Sequence, residues 1–158
     1  MLPEKLKLNL FDRMSIKTMR YVSSVPRKEA TGLVKRVYDM IEAFPKPTIA
    51  QIDGFCVGGG VALALCCDLR ICGKGSQFAI PAAKLGLGYG FPGIKRLVDV
   101  VGKAFAKEIF FTARRFDAEE ARIMGLVNRV VDDEDVAKTA SETAAMIAAN
   151  APMTVESV

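Results

Sequence analysis

The sequence predicts an α/β fold, and three observations carry that expectation. Short segments rich in β-branched and apolar residues alternate with longer stretches of helical period. A glycine run, Gly58-Gly59-Gly60, stands between an apolar strand and an apolar helix. The chain has 158 residues, 51% hydrophobic and 25% charged, which is the composition of a globular domain with its own core and not of a disordered segment.

From about Leu8 to Val22, Leu10, Met14 and Tyr21/Val22 fall near one helical face, and Ser23-Ser24-Val25-Pro26 breaks the pattern. Leu33, Val37, Ile41 and Phe44 then follow the spacing of an amphipathic helix, which Pro45 and Pro47 stop. Thr48 to Ile52 is short, partly β-branched and bounded by Pro47 and Gly54, so it reads as a strand with a turn at Asp53-Gly54. The glycine run opens a helix to about Cys67. Leu69–Cys72 and Gln77–Ile80 read as strands, with Gly73 and Gly75 marking the turn between them.

Gly86 to Gly93 is a glycine-rich loop. The next helix carries Ile94, Leu97, Val98 and Val101 and ends at Gly102; another covers Ala104 to Phe111. Asp117-Ala118-Glu119-Glu120 has the form of a capping box, an acidic cap with a glutamate three residues on, and the helix it opens stops at Gly125. Leu126 to Val131 reads as a strand. Asp132, Asp133, Glu134 and Asp135 then load the start of a last helix, where the dipole favours negative charge, and this helix runs to about Asn150, before Pro152.

Composition excludes several kinds of chemistry. With no histidine, neither Ser-His-Asp nor Cys-His catalysis can be built within this chain, and the usual general base is missing. The four cysteines, Cys56, Cys66, Cys67 and Cys72, form no CxxC pair; they read as small buried residues and not as metal ligands. No apolar run approaches the roughly 20 residues of a membrane helix. Glu4, Lys5 and Lys7 interrupt any signal-peptide core, so the expectation is a soluble cytoplasmic protein. Net charge is +4, with +6 in residues 1–36 and −2 in the rest. Few aromatics accompany the basic arm, so a solvated helix face is favoured over nucleic-acid binding, and no nucleic-acid partner is expected.

A helix N-terminus presents unpaired N–H groups and a partial positive charge, and glycine there lets a ligand atom approach the backbone. That suits a phosphate or a developing oxyanion. The run is not GxGxxG and lacks a Walker lysine, which leaves phosphate weakly supported. Close packing of the helix on the preceding strand stays open as the alternative.

Taken together, Pro47-Thr48-Ile49-Ala50, IDGFCVGGGVALALCCDLRI from Ile52 to Ile71, FAIPAAKLGLGYGFPGIKRL from Phe78 to Leu97, FTARRFDAEEA from Phe111 to Ala121 and GLVNRVV from Gly125 to Val131 resemble the crotonase superfamily, the enoyl-CoA hydratase/isomerase family. The resemblance runs in order from about Pro45 to Pro152. It implies a ClpP/crotonase-like spiral of β-β-α units, with residues 1–158 forming a single partial domain in which 1–44 is a divergent helical region and 45–152 the family core. Homotrimers or hexamers are implied, with a coenzyme A thioester as substrate, no covalently bound cofactor and no metal.

By the same resemblance the N–H of Gly59 holds the thioester oxygen and stabilises an enolate. Gly58, Gly60, Ala62, Pro81, Ala82, Leu85 and Gly90 fall at acyl-binding positions. Family hydratases carry glutamates at the positions of Ala62 and Ala82, and other members an aspartate near Gly90; here all three lack a carboxylate. Tyr89, in the glycine loop, is read either as a phenol that donates to an enolate or as a packed aromatic. Lys84 reads as solvated, Asp68 and Arg70 as structural at a helix–strand corner, and Asp53 as a turn residue. The expected function is acyl-CoA binding with enolate stabilisation in fatty-acid or related acyl-CoA metabolism, as an enoyl-CoA hydratase/isomerase-like lyase. The alternatives are decarboxylation, thioester hydrolysis or non-catalytic binding.

Overall fold

A computed structural model describes residues 27–156. The helix expected over Leu8–Val22 lies outside the described residues. By compactness the chain divides between Val37 and Tyr38; apart from the first turns of helix α1, the described elements all belong to the second unit.

Helix α1 (Arg27–Glu42) buries Ile41 and half-buries Val37, as its spacing predicts, and ends before Pro45 and Pro47. Beyond it the chain repeats one device: two short strands turn through roughly a corner, and a helix follows. The first unit is β1 (Ile49–Ile52), β2 (Phe55–Val57) and α2 (Gly59–Ala64). The second is β3 (Leu69–Gly73), β4 (Gln77–Ala79), a 3₁₀ turn at Ala83–Leu85 and α3 (Phe91–Thr112). Then come β5 (Phe116–Asp117), α4 (Ala118–Ile123), β6 (Arg129–Val131), a 3₁₀ turn at Asp133–Asp135, α5 (Val136–Ala148) and α6 (Pro152–Glu156).

The two strands of each unit join different sheets. One sheet has the order β1-β3-β6, all parallel, with Ile52 opposite Cys72 and Cys72 opposite Val130. The other has the order β2-β4-β5, with β2 and β4 parallel and β5 antiparallel to β4. Central strand β3 is buried along nearly its whole length, as a parallel strand covered on both faces must be. Ile71, Phe78, Ile80, Leu97, Ile109 and Leu126 are each at most 2% exposed and form the core. Phe78 stacks on Phe116 with ring centroids 5.9 Å apart, tying β4 to β5.

Two polar clamps fix the corners. The Asp68 carboxylate accepts from the Thr48 N–H (2.6 Å) and hydroxyl (2.7 Å), and the Thr48 hydroxyl accepts from the Asp68 N–H. Arg70, 7% exposed, donates to the carbonyls of Leu126 (2.8 Å), Cys67 (2.6 Å) and, more weakly, Ala64 (3.5 Å). Both residues are structural, as expected, but each grips backbone across the corner and not the other. Burial draws the Arg70 guanidinium below its usual pKa, while nearby Cys67 and Asp68 oppose that.

Several boundaries differ from the sequence expectation. Strands β2 and β5 have three and two residues, too short for an alternating pattern to register. Helix α2 stops at Ala64 and not near Cys67, because the chain turns at Leu65–Cys67, where Arg70 reaches the Ala64 and Cys67 carbonyls. The strand expected from Leu126 begins at Arg129. Leu126 and Val127 instead donate their N–H groups to the Ala121 carbonyl, closing the turn after α4. Gly102 breaks α3 where expected: its φ of 75° and ψ of 167° are non-helical, and helical geometry resumes beyond it. The capping box at Asp117 is present in both directions, at 2.8 Å and 3.0 Å.

The acidic run 132–135 serves another purpose than helix capping. Asp135 makes no side-chain cap bond, and Asp133 reaches back to accept the Gly75 N–H at 2.9 Å, bracing the β3–β4 turn. The four cysteines are free; Cys56, Cys66 and Cys72 are buried and Cys67 half-buried. Burial pushes Cys56 up to about 12 and Cys66 and Cys72 to about 11, the behaviour of packed thiols and not of reactive ones. Among the described residues no helix is long and apolar enough to cross a membrane.

Candidate functional site

The glycine run sits where β2 hands over to α2. Gly58, the N-cap, has φ 57° and ψ −109°, a conformation open in practice only to glycine, and its N–H donates to the Ala79 carbonyl at 2.8 Å. No side chain caps the helix. The Ala62 N–H, bonded to the Gly58 carbonyl at 3.1 Å, closes the first turn. The amides of Gly59, Gly60 and Val61 precede that bond and have no intrahelical acceptor by helix geometry. Gly60 and Val61 are buried, whereas Gly59 is exposed.

Parallel pairing explains how distant residues meet here. Val57 lies opposite Ala79, so the chain leaves β2 and β4 side by side and in the same direction. Gly58 follows one strand, Ile80-Pro81-Ala82 the other. Ala62 is half-buried one turn into α2, Pro81 is half-buried, and Ala82 is buried at 5% exposure. Ala82 accepts the N–H groups of Leu85 and Leu87 and opens the 3₁₀ turn. The two positions at which a carboxylate is expected thus flank the ends of adjacent strands. Leu85 is 64% exposed and Gly90 is the exposed N-cap of α3; both belong to the loop after Ala82.

Tyr89 is half-buried, packed edge-on against Phe110 with centroids 5.1 Å apart. It is therefore a packed aromatic, yet burial also raises its pKa, so its phenol remains a neutral donor. Lys84 is exposed, and Asp53 is exposed in the β1–β2 turn.

Tyr38 and Arg96 were not legible as site residues. Tyr38 projects from α1 so that its hydroxyl stands 3.8 Å from where a Gly59 Cβ would be. Arg96, from α3, lies over the Tyr38 ring at 5.8 Å and forms a two-pronged pair with the Glu42 carboxylate, one prong at 2.6 Å. The amphipathic pattern of α1 assigns Val37 and Ile41 to the core and says nothing of Tyr38 beside them. Only the tertiary approach of α1 to the glycine run gives Tyr38 meaning.

Two sheets fed by successive β-β-α units, with a glycine-started helix over the ends of adjacent parallel strands, define an α/β spiral fold. The profile of the enoyl-CoA hydratase/isomerase family matches residues 15–158, and the chain belongs to that family and has the crotonase fold. It is 38% identical over 141 residues to the short-chain-enoyl-CoA hydratase of Clostridium acetobutylicum, covering 89% of this chain and 54% of that protein. It is 42% identical over 118 residues to the crotonyl-CoA hydratase of Syntrophomonas wolfei, covering 75% and 45%. The chain spans about half the length of the curated relatives it matches.

Among solved structures, an enoyl-CoA hydratase from Bacillus anthracis superposes with TM-score 0.77 at 34% identity, over 85% of this chain and 53% of that one. Methylmalonyl-CoA decarboxylase in complex with 2-nitronate-propionyl-CoA superposes with TM-score 0.74 at 31% identity, over 78% and 47%.

Proposed function

We propose that this chain binds the acyl end of a coenzyme A thioester at the start of α2, with the Gly59 N–H donating to the thioester oxygen and stabilising the enolate that forms there. The exposed, uncapped Gly59 amide, in a family whose members act on coenzyme A thioesters, is the observation that carries this reading. Gly58 and Gly60 set the turn that aims the amide. Ala62, Pro81 and Ala82 form the wall along the acyl chain, with Leu85 and Gly90 at its outer edge. The coenzyme A thioester is substrate and no separate cofactor takes part. In this reading residues 1–158 act as one partial domain that assembles as a homotrimer or hexamer in the cytoplasm.

Water addition to an enoyl thioester requires one group to take a proton from water and another to deliver one to Cα. Alanine does neither, and a positioned acid or base supplies about 10²–10⁴ in rate. Standard hydration by Ala62 and Ala82 is therefore unsupported, although the amide-based oxyanion site needs no side chain. A second reading is favoured by the likeness to methylmalonyl-CoA decarboxylase. Loss of CO2 from a 2-carboxyacyl thioester breaks the Cα–carboxyl bond and leaves its electron pair in the enolate, so no base is needed. One proton then reaches Cα, with the Tyr89 phenol as a donor replenished by solvent. Thioester hydrolysis and binding without turnover are the remaining outcomes of the test.

The test titrates the full-length protein with butyryl-CoA, then follows enoyl absorbance with crotonyl-CoA and CO2 release with methylmalonyl-CoA. Saturable binding with slow hydration is expected. The double variant Ala62→Glu/Ala82→Glu should then hydrate crotonyl-CoA about 10²-fold faster or more. Absence of saturable binding overturns the site. Rapid hydration by the natural sequence overturns the significance given to the two alanines.

A further inference from the structure

We propose that Tyr38 is a further catalytic residue of this site: its phenolic O–H donates a hydrogen bond to the same thioester oxygen that the Gly59 N–H holds. The inference rests on the thioester reading above, and three observations support it. The hydroxyl stands 3.8 Å from the position of a Gly59 Cβ, beside the residue whose amide is proposed to hold the oxygen. Tyr38 is half-buried, and among the described residues its hydroxyl makes no hydrogen bond. Its ring is held in place beneath the Arg96 guanidinium, itself fixed by the pair with Glu42.

Protonation agrees with this role. Burial, with Tyr89 and Cys66 adding to it and Arg96 opposing, raises the Tyr38 pKa above the ordinary phenol value. Tyr38 is accordingly neutral at physiological pH, a donor and not a base. A phenol beside the amide is suited to charge that develops on oxygen in an enolate and contributes less to an uncharged carbonyl. Two donors of different origin, one backbone and one side chain, are thus assigned to the same oxygen.

A β-ketoacyl thioester such as acetoacetyl-CoA tests the proposal, because its enolate has its own near-ultraviolet absorbance. The full-length protein is expected to lower the pH midpoint at which bound acetoacetyl-CoA becomes enolate, relative to the free thioester. In Tyr38→Phe, which keeps the ring under Arg96, that midpoint should rise by about one to two units, a 10- to 100-fold loss in enolate stabilisation. Affinity for butyryl-CoA, which forms no stable enolate, should fall by less than the shift in enolate midpoint corresponds to, and the thermal midpoint should be unchanged. A midpoint identical in Tyr38→Phe and the natural sequence overturns the role of Tyr38 while leaving the Gly59 site standing. No binding of acetoacetyl-CoA, or binding with the midpoint of the free thioester, overturns the thioester reading itself and Tyr38's role with it.

Discussion

Gly58 and Gly59 are neighbours with opposite requirements, and exchanging each for alanine separates folding from binding. At Gly58 a Cβ would meet no atom within 4 Å, so Gly58→Ala introduces no clash. Its φ of 57° with ψ of −109° nevertheless lies outside the left-handed well that alanine tolerates. The cost is therefore conformational, about 1–3 kcal/mol. If the backbone relaxes instead, the Gly58–Ala79 hydrogen bond that joins the glycine run to β4 is lost, at a similar cost. For a chain of this size, 1 kcal/mol moves the thermal midpoint by roughly 2–4 °C, so a fall of about 2–12 °C is expected. Gly59 has no positive φ, and a Cβ there meets only the Tyr38 hydroxyl at ordinary contact distance. Gly59→Ala should keep the thermal midpoint or raise it slightly, while its methyl occupies the space between the amide and Tyr38 and weakens butyryl-CoA binding. Differential scanning fluorimetry and ligand titration on the two variants read both effects. A stable Gly58→Ala, or a Gly59→Ala that binds butyryl-CoA as tightly as the natural sequence, refutes this account of the turn.

Two further outcomes follow from buried groups. Arg70→Met leaves the Leu126 and Cys67 carbonyls without their donor, partly offset by relief of a desolvated charge, and should lower stability by about 2–4 kcal/mol in denaturant titration; an unchanged midpoint would remove Arg70 as a clamp. The raised pKa values of Cys56, Cys66 and Cys72 make the folded state prefer protonated thiols. Their contribution is fully present below the ordinary thiol pKa near 8.5 and is lost as pH rises towards about 11–12, so stability should fall across that window and native-state alkylation at pH 8 should be slow. Rapid labelling of Cys56 in the folded protein would contradict the packing described.

What the sequence revealed and what it hid divide along a physical line. The capping box at Asp117, the break at Gly102 and the proline stop after α1 depend on local chemistry, and each appears where it was expected. Strands of two or three residues, such as β5 and β2, owe their existence to pairing partners far along the chain and leave no period of their own. Proximity in sequence places Asp133 at a helix terminus, but a turn 58 residues away takes its carboxylate. Within the site, Gly58 stands in a turn that only glycine suits, whereas Gly59 is marked by the family resemblance and not by its backbone. Tyr38 was not legible, since an aromatic on an amphipathic helix carries no mark of what the tertiary fold sets against it.

The chemistry left at the site is one-sided, and that asymmetry narrows what it can do. The groups assigned to the proposed oxygen are donors: the Gly59 amide, the Tyr38 phenol and, coupled to Tyr38, the Tyr89 phenol, both phenols held neutral by burial. Ala62 and Ala82 accept and release no proton, and the chain has no histidine to stand in for them. Such a site stabilises negative charge that arrives by another route, and it creates little by deprotonation. Bond cleavage that delivers electrons to Cα, as loss of CO2 does, fits that arrangement better than abstraction of an α-proton or activation of water. A site of donors alone should therefore discriminate among thioesters by how readily they surrender an enolate, with 2-carboxyacyl and β-ketoacyl groups ahead of saturated or enoyl ones.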